Sequence, residues 1–399
     1  MAADHNYCYG CMRKLEGGQT ICPHCGFDNG KRHNSKKYLP EGTVLKGRYL
    51  IGKKSKRDTV GVTYPALDML FDVRVSVKEF LPYDFCRRDE TTAQVIPCII
   101  NPDLSEKPFE KGLECFLSEC RELGRLSSPS FLHIRDFFRE NGTVYCVRDH
   151  IDAPTLNYEL RLCGGQMPWE RVVGLFLPFI AEIGKLHKNH FLLRDIRPEY
   201  FQVIPENNGE SERLIFTDCG GYTRSFLEEN RKGPHYIQPP YFPIEHYSSK
   251  IQQGPYTDVY LVCAVIYALI TGKKPPCAPD RWLYLDHADY STGSLNTFAS
   301  FGVRTPANIE NAIRHGLALR PEDRPQSMGR LWDELSGNRA PQITEPPDMI
   351  EPEYSFTAEK PKDMNLRKKG LDKGWVILIV LWLVVLTAIM LLLLLRVRL

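Results

Sequence analysis

The 399-residue chain carries almost no excess charge, with 51 Lys and Arg against 49 Asp and Glu. A net charge of +2 gives no general pull toward a polyanion, and no local basic patch stands out, so nucleic acid is not an expected partner. Residues 1–37 lack an apolar run of the length a secretory signal needs, and export is not expected. In a reducing compartment the 13 cysteines are free or bound to metal, which argues against a disulfide scaffold. The same 37 residues also lack enough apolar side chains to bury a core of their own. For the whole chain, 43% hydrophobic and 25% charged residues exclude a disordered, collagenous or coiled-coil class and allow two or three globular domains.

What the first segment has instead is Cys8, Cys11, Cys22 and Cys25, two CxxC pairs separated by ten residues. Four thiolates in two knuckles suit one tetrahedral Zn²⁺, with Gly10, Pro23 and Gly26 at the turns. Such a metal would be structural, because this segment could hardly fold without it. A redox-active CxxC is the competing reading, but it needs one pair only and a βαβ context that is missing. Residues 1–37 are therefore expected to form a zinc ribbon.

Residues 38–336 have the composition of a mixed globular domain. Strand-like alternation occurs at Val73 to Val77 and Val144 to Val147, and helical periodicity at 109–126, 169–188, 256–271 and 306–319. Residues 337–373 read as a proline-rich charged linker. Gly374 to Leu395 then run 22 residues without a charge, a length of roughly 33 Å as a helix, enough to span a bilayer. A buried core helix is the alternative, but only the short tail 396–399 follows and no further domain is there to bury it. Arg367, Lys368, Lys369 and Lys373 favour the cytoplasmic side for everything before the span, against a weaker opposing signal from Arg396 and Arg398. The expectation is a single-pass protein of the cytoplasmic membrane, tail-anchored, whose signals arrive from inside the cell or within the membrane.

A series of motifs runs through 38–336 in order: LPEGTVLKGRYLIGKK, VGVTYPALD, VRVSVKEFLP, FLSECRELGRL, NGTVYCV, LLRDIRPEYFQV, FTDCGG, YFPIEHY, TDVYLVCAVIYALITGKKP and LALRPEDRPQS. In order and spacing this resembles the bacterial Hanks-type serine/threonine protein kinases. The resemblance implies an α+β, two-lobed fold: a five-stranded sheet with one helix, a mainly helical lobe, and a nucleotide cleft between them. It also implies ATP and Mg²⁺ as ligands. Lys78 matches the lysine that holds the nucleotide phosphates, and Glu119 the helix glutamate that orients it by an ion pair. Asp195 matches the catalytic base and Asp218 the Mg²⁺ ligand. Glu245 and Arg324 match a buried pair that ties the activation segment to the large lobe, and Asp258 the residue that holds the catalytic loop.

The departures from the pattern fall on the chemistry. The three glycine positions of the phosphate loop read Lys56, Asp58 and Gly61, so only Gly61 remains to approach a nucleotide, and a carboxylate at Asp58 would face phosphate oxygens. Tyr200 stands where an asparagine binds the second Mg²⁺. Leu193, Arg197 and Cys219 replace the histidine, lysine and phenylalanine of the neighbouring motifs, and Arg148 falls at the gatekeeper position behind the adenine pocket. Loss of one preorganised contact typically costs roughly 10²- to 10³-fold in rate. The expected function is therefore a membrane-anchored pseudokinase, a signalling or scaffolding module for unidentified protein partners that binds ATP weakly. The alternative is an atypical active kinase that transfers the ATP γ-phosphate to protein hydroxyls.

Overall fold

The computed structural model describes residues 7–17, 19–31, 37–98, 107–206, 211–230, 240–248, 250–283 and 295–338. In the small lobe, β1 (Val44–Leu45) turns back through Lys46 and Gly47, both at positive φ, into β2 (Tyr49–Ile51). The pair β3 (Lys56–Arg57) and β4 (Gly61–Asp68) makes a tight hairpin, and β4 pairs in turn with β5 (Val73–Phe80). A separate two-stranded ribbon, β6 (Cys86–Arg88) and β7 (Val95–Pro97), leads to α1 (Pro108–Gly124). Pro108 starts that helix where no backbone donor is needed, and its buried face carries Phe109, Leu113, Phe116, Cys120 and Leu123. The hairpin of β8 (Ile134–Glu140) and β9 (Thr143–Asp149) completes the sheet through Asn141 and Gly142, both left-handed. The order is β1-β2-β4-β5-β9-β8 with β3 on β4, antiparallel throughout. Seven strands replace the five implied by the resemblance, because the two-residue strands β1 and β3 are added.

The large lobe begins with α2 (Leu156–Leu162), capped by the Thr155 side chain, and α3 (Trp169–Lys188). A hairpin of β10 (Phe201–Glu206) and β11 (Ser211–Phe216) carries the catalytic-loop region and leads to α4 (Gly221–Glu229). The centre is α5 (Pro255–Thr271), buried at every residue from Thr257 to Thr271 and closed by Gly272 at φ 69°. It packs against α3, α7 (Ala307–Gly316) and α8 (Met328–Leu335), with α6 (Ala278–Leu283) following it in the chain. Each fully buried Leu, Ile or Phe here contributes about 1.5–3 kcal/mol. Two ties hold the loop before β10 and the segment around Glu245 to this core. Asp258 on α5 accepts from the Leu193 and Arg194 amides at 2.8 Å each, and Arg324 donates to both oxygens of Glu245 at 2.7 and 3.1 Å.

The cysteine-rich segment packs directly on the small lobe. Tyr9 and Met12 cluster with Leu67 on β4, and the Lys53 amide donates to the Tyr9 carbonyl at 2.7 Å. Gly52 is required there, since a Cβ would lie 2.3 Å from the Tyr9 oxygen. The edge is polar: the Tyr7 hydroxyl donates to Asp72 at 2.5 Å, and Arg13 reaches Asp152, just past β9, at 2.9 Å. The apolar run 374–395 and the linker from residue 339 lie outside the described residues; among those described, no helix is long and apolar enough to cross a membrane.

This junction makes the two parts one folding problem. Gly52→Ala should force the ribbon off β4, lowering stability by about 1–3 kcal/mol in denaturant unfolding and opening residues 1–37 to protease. Unchanged stability and protection would mean that the ribbon only rests on the lobe.

Candidate functional site

The first candidate centre lies in the ribbon. Cys8 and Cys22 are buried, Cys25 is exposed, and their sulfurs meet as Cys8–Cys25 at 3.5 Å and Cys11–Cys22 at 3.8 Å. All four lie within 4.8 Å of one another, against about 3.8 Å between the sulfurs of a tetrahedral Zn²⁺ site with 2.3 Å bonds. The Gly10 amide donates to Cys8 Sγ at 3.3 Å, as the knuckle geometry requires. The donor set fits zinc.

The second lies between the lobes, and it begins with the β3–β4 turn. Asp58 to Gly61 close a four-residue turn, with the Asp58 amide donating to the Gly61 carbonyl at 2.9 Å. The Asp58 side chain folds back into it: Oδ1 accepts from the Val60 and Gly61 amides, each at 2.9 Å, while Oδ2 lies 3.0 Å from Lys78 Nζ. Backbone amides that a phosphate loop turns toward a ligand are thus spent on the loop's own carboxylate. Gly61 cannot be relieved by a side chain, because a Cβ would lie 1.8 Å from the Glu79 carbonyl oxygen.

Lys78 on β5 is buried and reaches Asp218 Oδ1 at 3.1 Å and the Cys219 carbonyl at 3.0 Å. Burial works against its charge, but Asp218 and Asp58 outweigh that and hold the ammonium above the ordinary lysine range. Its partner is not Glu119. That carboxylate, on α1, accepts from the Tyr222 amide at 2.8 Å, the Thr223 amide at 3.1 Å and the Thr223 hydroxyl, which makes it the cap of α4. Burial pushes the Glu119 carboxyl up to about 7, against the pull of those bonds.

The capped helix delivers Arg224. Gly220, at φ 140°, lets the chain turn into α4, and one turn later Arg224 enters the cleft. Nη1 donates to Asp195 Oδ2, Nη2 lies 3.1 Å from Asp218 Oδ2, and Asp58 is 4.0 Å away. Arg197 holds Asp195 from the other side, with Nε to Oδ1 and Nη2 to Oδ2, both at 2.6 Å. The Tyr200 hydroxyl adds a contact to Asp195 at 3.3 Å, and its ring has Lys56, Arg197 and Arg224 within 5.3 Å. Both oxygens of Asp195 and both of Asp218 are engaged. Burial resists ionisation of Asp218, but Lys78, Arg224 and Lys56 hold its carboxyl well below the usual range. At the back, Arg148 donates to the Thr217 carbonyl at 2.7 Å. A cleft of about 1260 Å³ opens beside this cluster, lined by Lys56, Asp58, Asp195, Arg197, Tyr200 and Arg224 among others.

The structure therefore brings Lys78, Asp218, Asp195 and Gly61 together and withdraws Glu119 from Lys78. Arg224 was not singled out in the sequence: it lies six residues beyond Asp218, where no motif marks a position. Mg²⁺-ATP does not fit these residues as they stand, because Asp58 takes the loop amides and Lys78, and Arg224 takes the carboxylate oxygens of Asp218 and Asp195.

No family model matches the chain. A probable serine/threonine-protein kinase of Clostridium acetobutylicum is 22% identical over 305 residues, 74% of this chain and 40% of that protein. The serine/threonine-protein kinase PrkC of Bacillus subtilis is 21% identical over 340 residues, 83% of this chain and 47% of its own length. The chain spans about half or less of the curated relatives it matches. Among solved structures, the apo form of PpkA-294 matches with a TM-score of 0.61 at 26% identity, covering 75% of this chain and 99% of that one. A mutant kinase domain of Mycobacterium tuberculosis PknI matches in fold, with a TM-score of 0.51 at 17% identity over 75% of this chain and 98% of its own. These findings support the bacterial serine/threonine kinase family, and the fold is kinase-like α+β.

The paired charges carry a pH signature. The depressed Asp218 carboxyl contributes stability that is complete above the ordinary carboxylate range, about pH 4, and is lost as pH falls toward its lower folded value. Asp218→Asn should lower stability at pH 7 by about 3–5 kcal/mol, by leaving buried cations uncompensated, and should flatten the acid limb below pH 4. Parallel acid-unfolding curves for the two proteins would count against this assignment.

Proposed function

We propose that the protein is a membrane-tethered pseudokinase, a signalling or scaffolding module that presents its kinase-like surface and zinc ribbon to protein partners. The observation that carries this reading is the Asp58 carboxylate bound to the Val60 and Gly61 amides and to Lys78, in the position where the resemblance puts a nucleotide phosphate. A triphosphate must displace that carboxylate and also draw Arg224 away from Asp218 and Asp195. Nucleotide binding is accordingly weak, in the high micromolar to millimolar range, or about 4–6 kcal/mol. The tether is the uncharged run 374–395, and the basic residues before it favour a cytoplasmic ribbon and kinase-like domain.

The second reading, an atypical serine/threonine kinase, is favoured by one observation: Lys78 and Asp218 still face each other at 3.1 Å over a catalytic loop held by Asp258. Under that reading α4 withdraws Arg224 before each turnover.

A radiolabelled-ATP assay separates the two. Wild type, Lys78→Met and Asp195→Asn should incorporate equally little label, whereas Asp58→Gly should bind Mg²⁺-ATP at least about tenfold more tightly, a gain of 1.4 kcal/mol. Label in the wild type well above both variants would replace the pseudokinase reading with the kinase one. The tether is tested on the full chain, which should stay with membranes through high salt and carbonate washes; release by either would remove it.

A further inference from the structure

Three cysteines from separate elements converge behind the phosphate cleft. Cys120 comes from α1, Cys146 from β9 and Cys219 from the residue after Asp218; all three are buried, with their sulfurs within 4.8 Å of one another. None of their sulfurs bonds to the charged groups of the cleft floor, although the Cys219 carbonyl accepts from Lys78. Beside them lies a buried cation: Arg148 Nη1 is 3.6 Å from Cys219 Sγ. Among the described residues Arg148 has no carboxylate partner, and its buried Nε has no hydrogen-bond acceptor. A buried guanidinium without an anion is costly, and a negatively charged centre next to it offsets that cost.

We propose that Cys120, Cys146 and Cys219 form a trigonal thiolate site for a soft d¹⁰ metal ion, Cu(I). Thiolates select soft ions, and three sulfurs at bonds of about 2.3 Å sit about 4.0 Å apart, so the observed cluster closes on an ion with side-chain shifts under an ångström. Structural Zn²⁺ takes four protein ligands, and no fourth His, Cys, Asp or Glu joins this group among the described residues. Three metal–sulfur bonds form, each thiol releases its proton to solvent, and no electron moves. With three thiolates on one Cu(I) the centre is a dianion, and Arg148 alongside offsets one of its charges. Its ligands join α1, β9 and the root of the segment that carries Arg224, so a bound ion would fasten α1 to that segment.

The experiment uses the zinc-replete full chain in detergent, titrated without oxygen with Cu(I) buffered by a competing chromophoric ligand. The expected result is one Cu(I) per chain with the zinc content unchanged, a copper X-ray absorption spectrum of three sulfurs, and thermal unfolding raised by several degrees. Cys146→Ser and Cys219→Ala should each weaken Cu(I) uptake at least about 100-fold while retaining zinc. Cys263→Ser, which removes a buried thiol from α5 outside this group, should leave uptake as it is. The X-ray spectrum needs no variant, so the proposal can fail even if a substitution disturbs folding. Copper that enters only by expelling zinc, uptake indifferent to both variants, or a second zinc in place of copper would each overturn it.

Discussion

Lys78, Arg197 and Arg224 share the floor of the cleft with Asp58, Asp195 and Asp218, and most of what the domain can do is bounded by that arrangement. Five of the six side chains are at most 10% exposed, with Asp58 at 17%, so solvent does little to screen them. Three positive and three negative charges balance, and their polar atoms bond within the group or to adjacent backbone. In such a setting, removing one member costs about 3–5 kcal/mol through the charge it leaves behind, far more than the pair gains over an apolar substitute. The network is thus rigid without needing to be strongly stabilising. A ligand carrying several negative charges enters only by supplying its own cations and by breaking at least two internal pairs.

That balance links the lobes. Asp58 lies in the β3–β4 turn and Lys78 on β5, Asp195 and Arg197 in the loop before β10, Asp218 and Arg224 in the segment after β11. The loop is fixed in turn by Asp258 on the buried α5, and the activation-segment end by Glu245 and Arg324. On the outer side of the small lobe the ribbon adds another constraint, because Tyr9 and Met12 cover Leu67 and Arg13 reaches Asp152 beyond β9. The Arg13–Asp152 pair is about 40% exposed and screened by solvent, so the apolar contact holds the ribbon and the ion pair orients it.

Much of the architecture was legible in the sequence because it rests on periodicity. The expected helices 169–188 and 256–271 appear as α3 and α5 with ends displaced by one residue at most, and the alternation at Val73 and Val144 marks β5 and β9. The scaffold pairs were legible for another reason: Asp258 holds fixed backbone amides and Glu245 pairs with Arg324, so their positions carry their roles. The cleft was less so. Asp58 could be seen to oppose a phosphate, but not to replace one, since that depends on the turn closing on its own side chain. Glu119 was read as the partner of Lys78, and Arg224 was not read at all, because both depend on α4, whose existence no motif announces. The Cys120, Cys146 and Cys219 group was hidden likewise, as residues scattered along the chain meet only when α1 and β9 pack.

The reassignment of Glu119 and the insertion of Arg224 are one event viewed from two ends. Glu119 binds the first amides of α4 through Tyr222 and Thr223, and Arg224, the next residue, projects into the cleft from the turn those bonds fix. For Glu119 to meet Lys78, it must give up three donors at the helix start, and Lys78 must give up Asp58. Loss of the cap would then free α4, and with it the guanidinium that occupies Asp195. Each step exposes a buried group that only the next step satisfies, so partial rearrangement of the cleft is disfavoured.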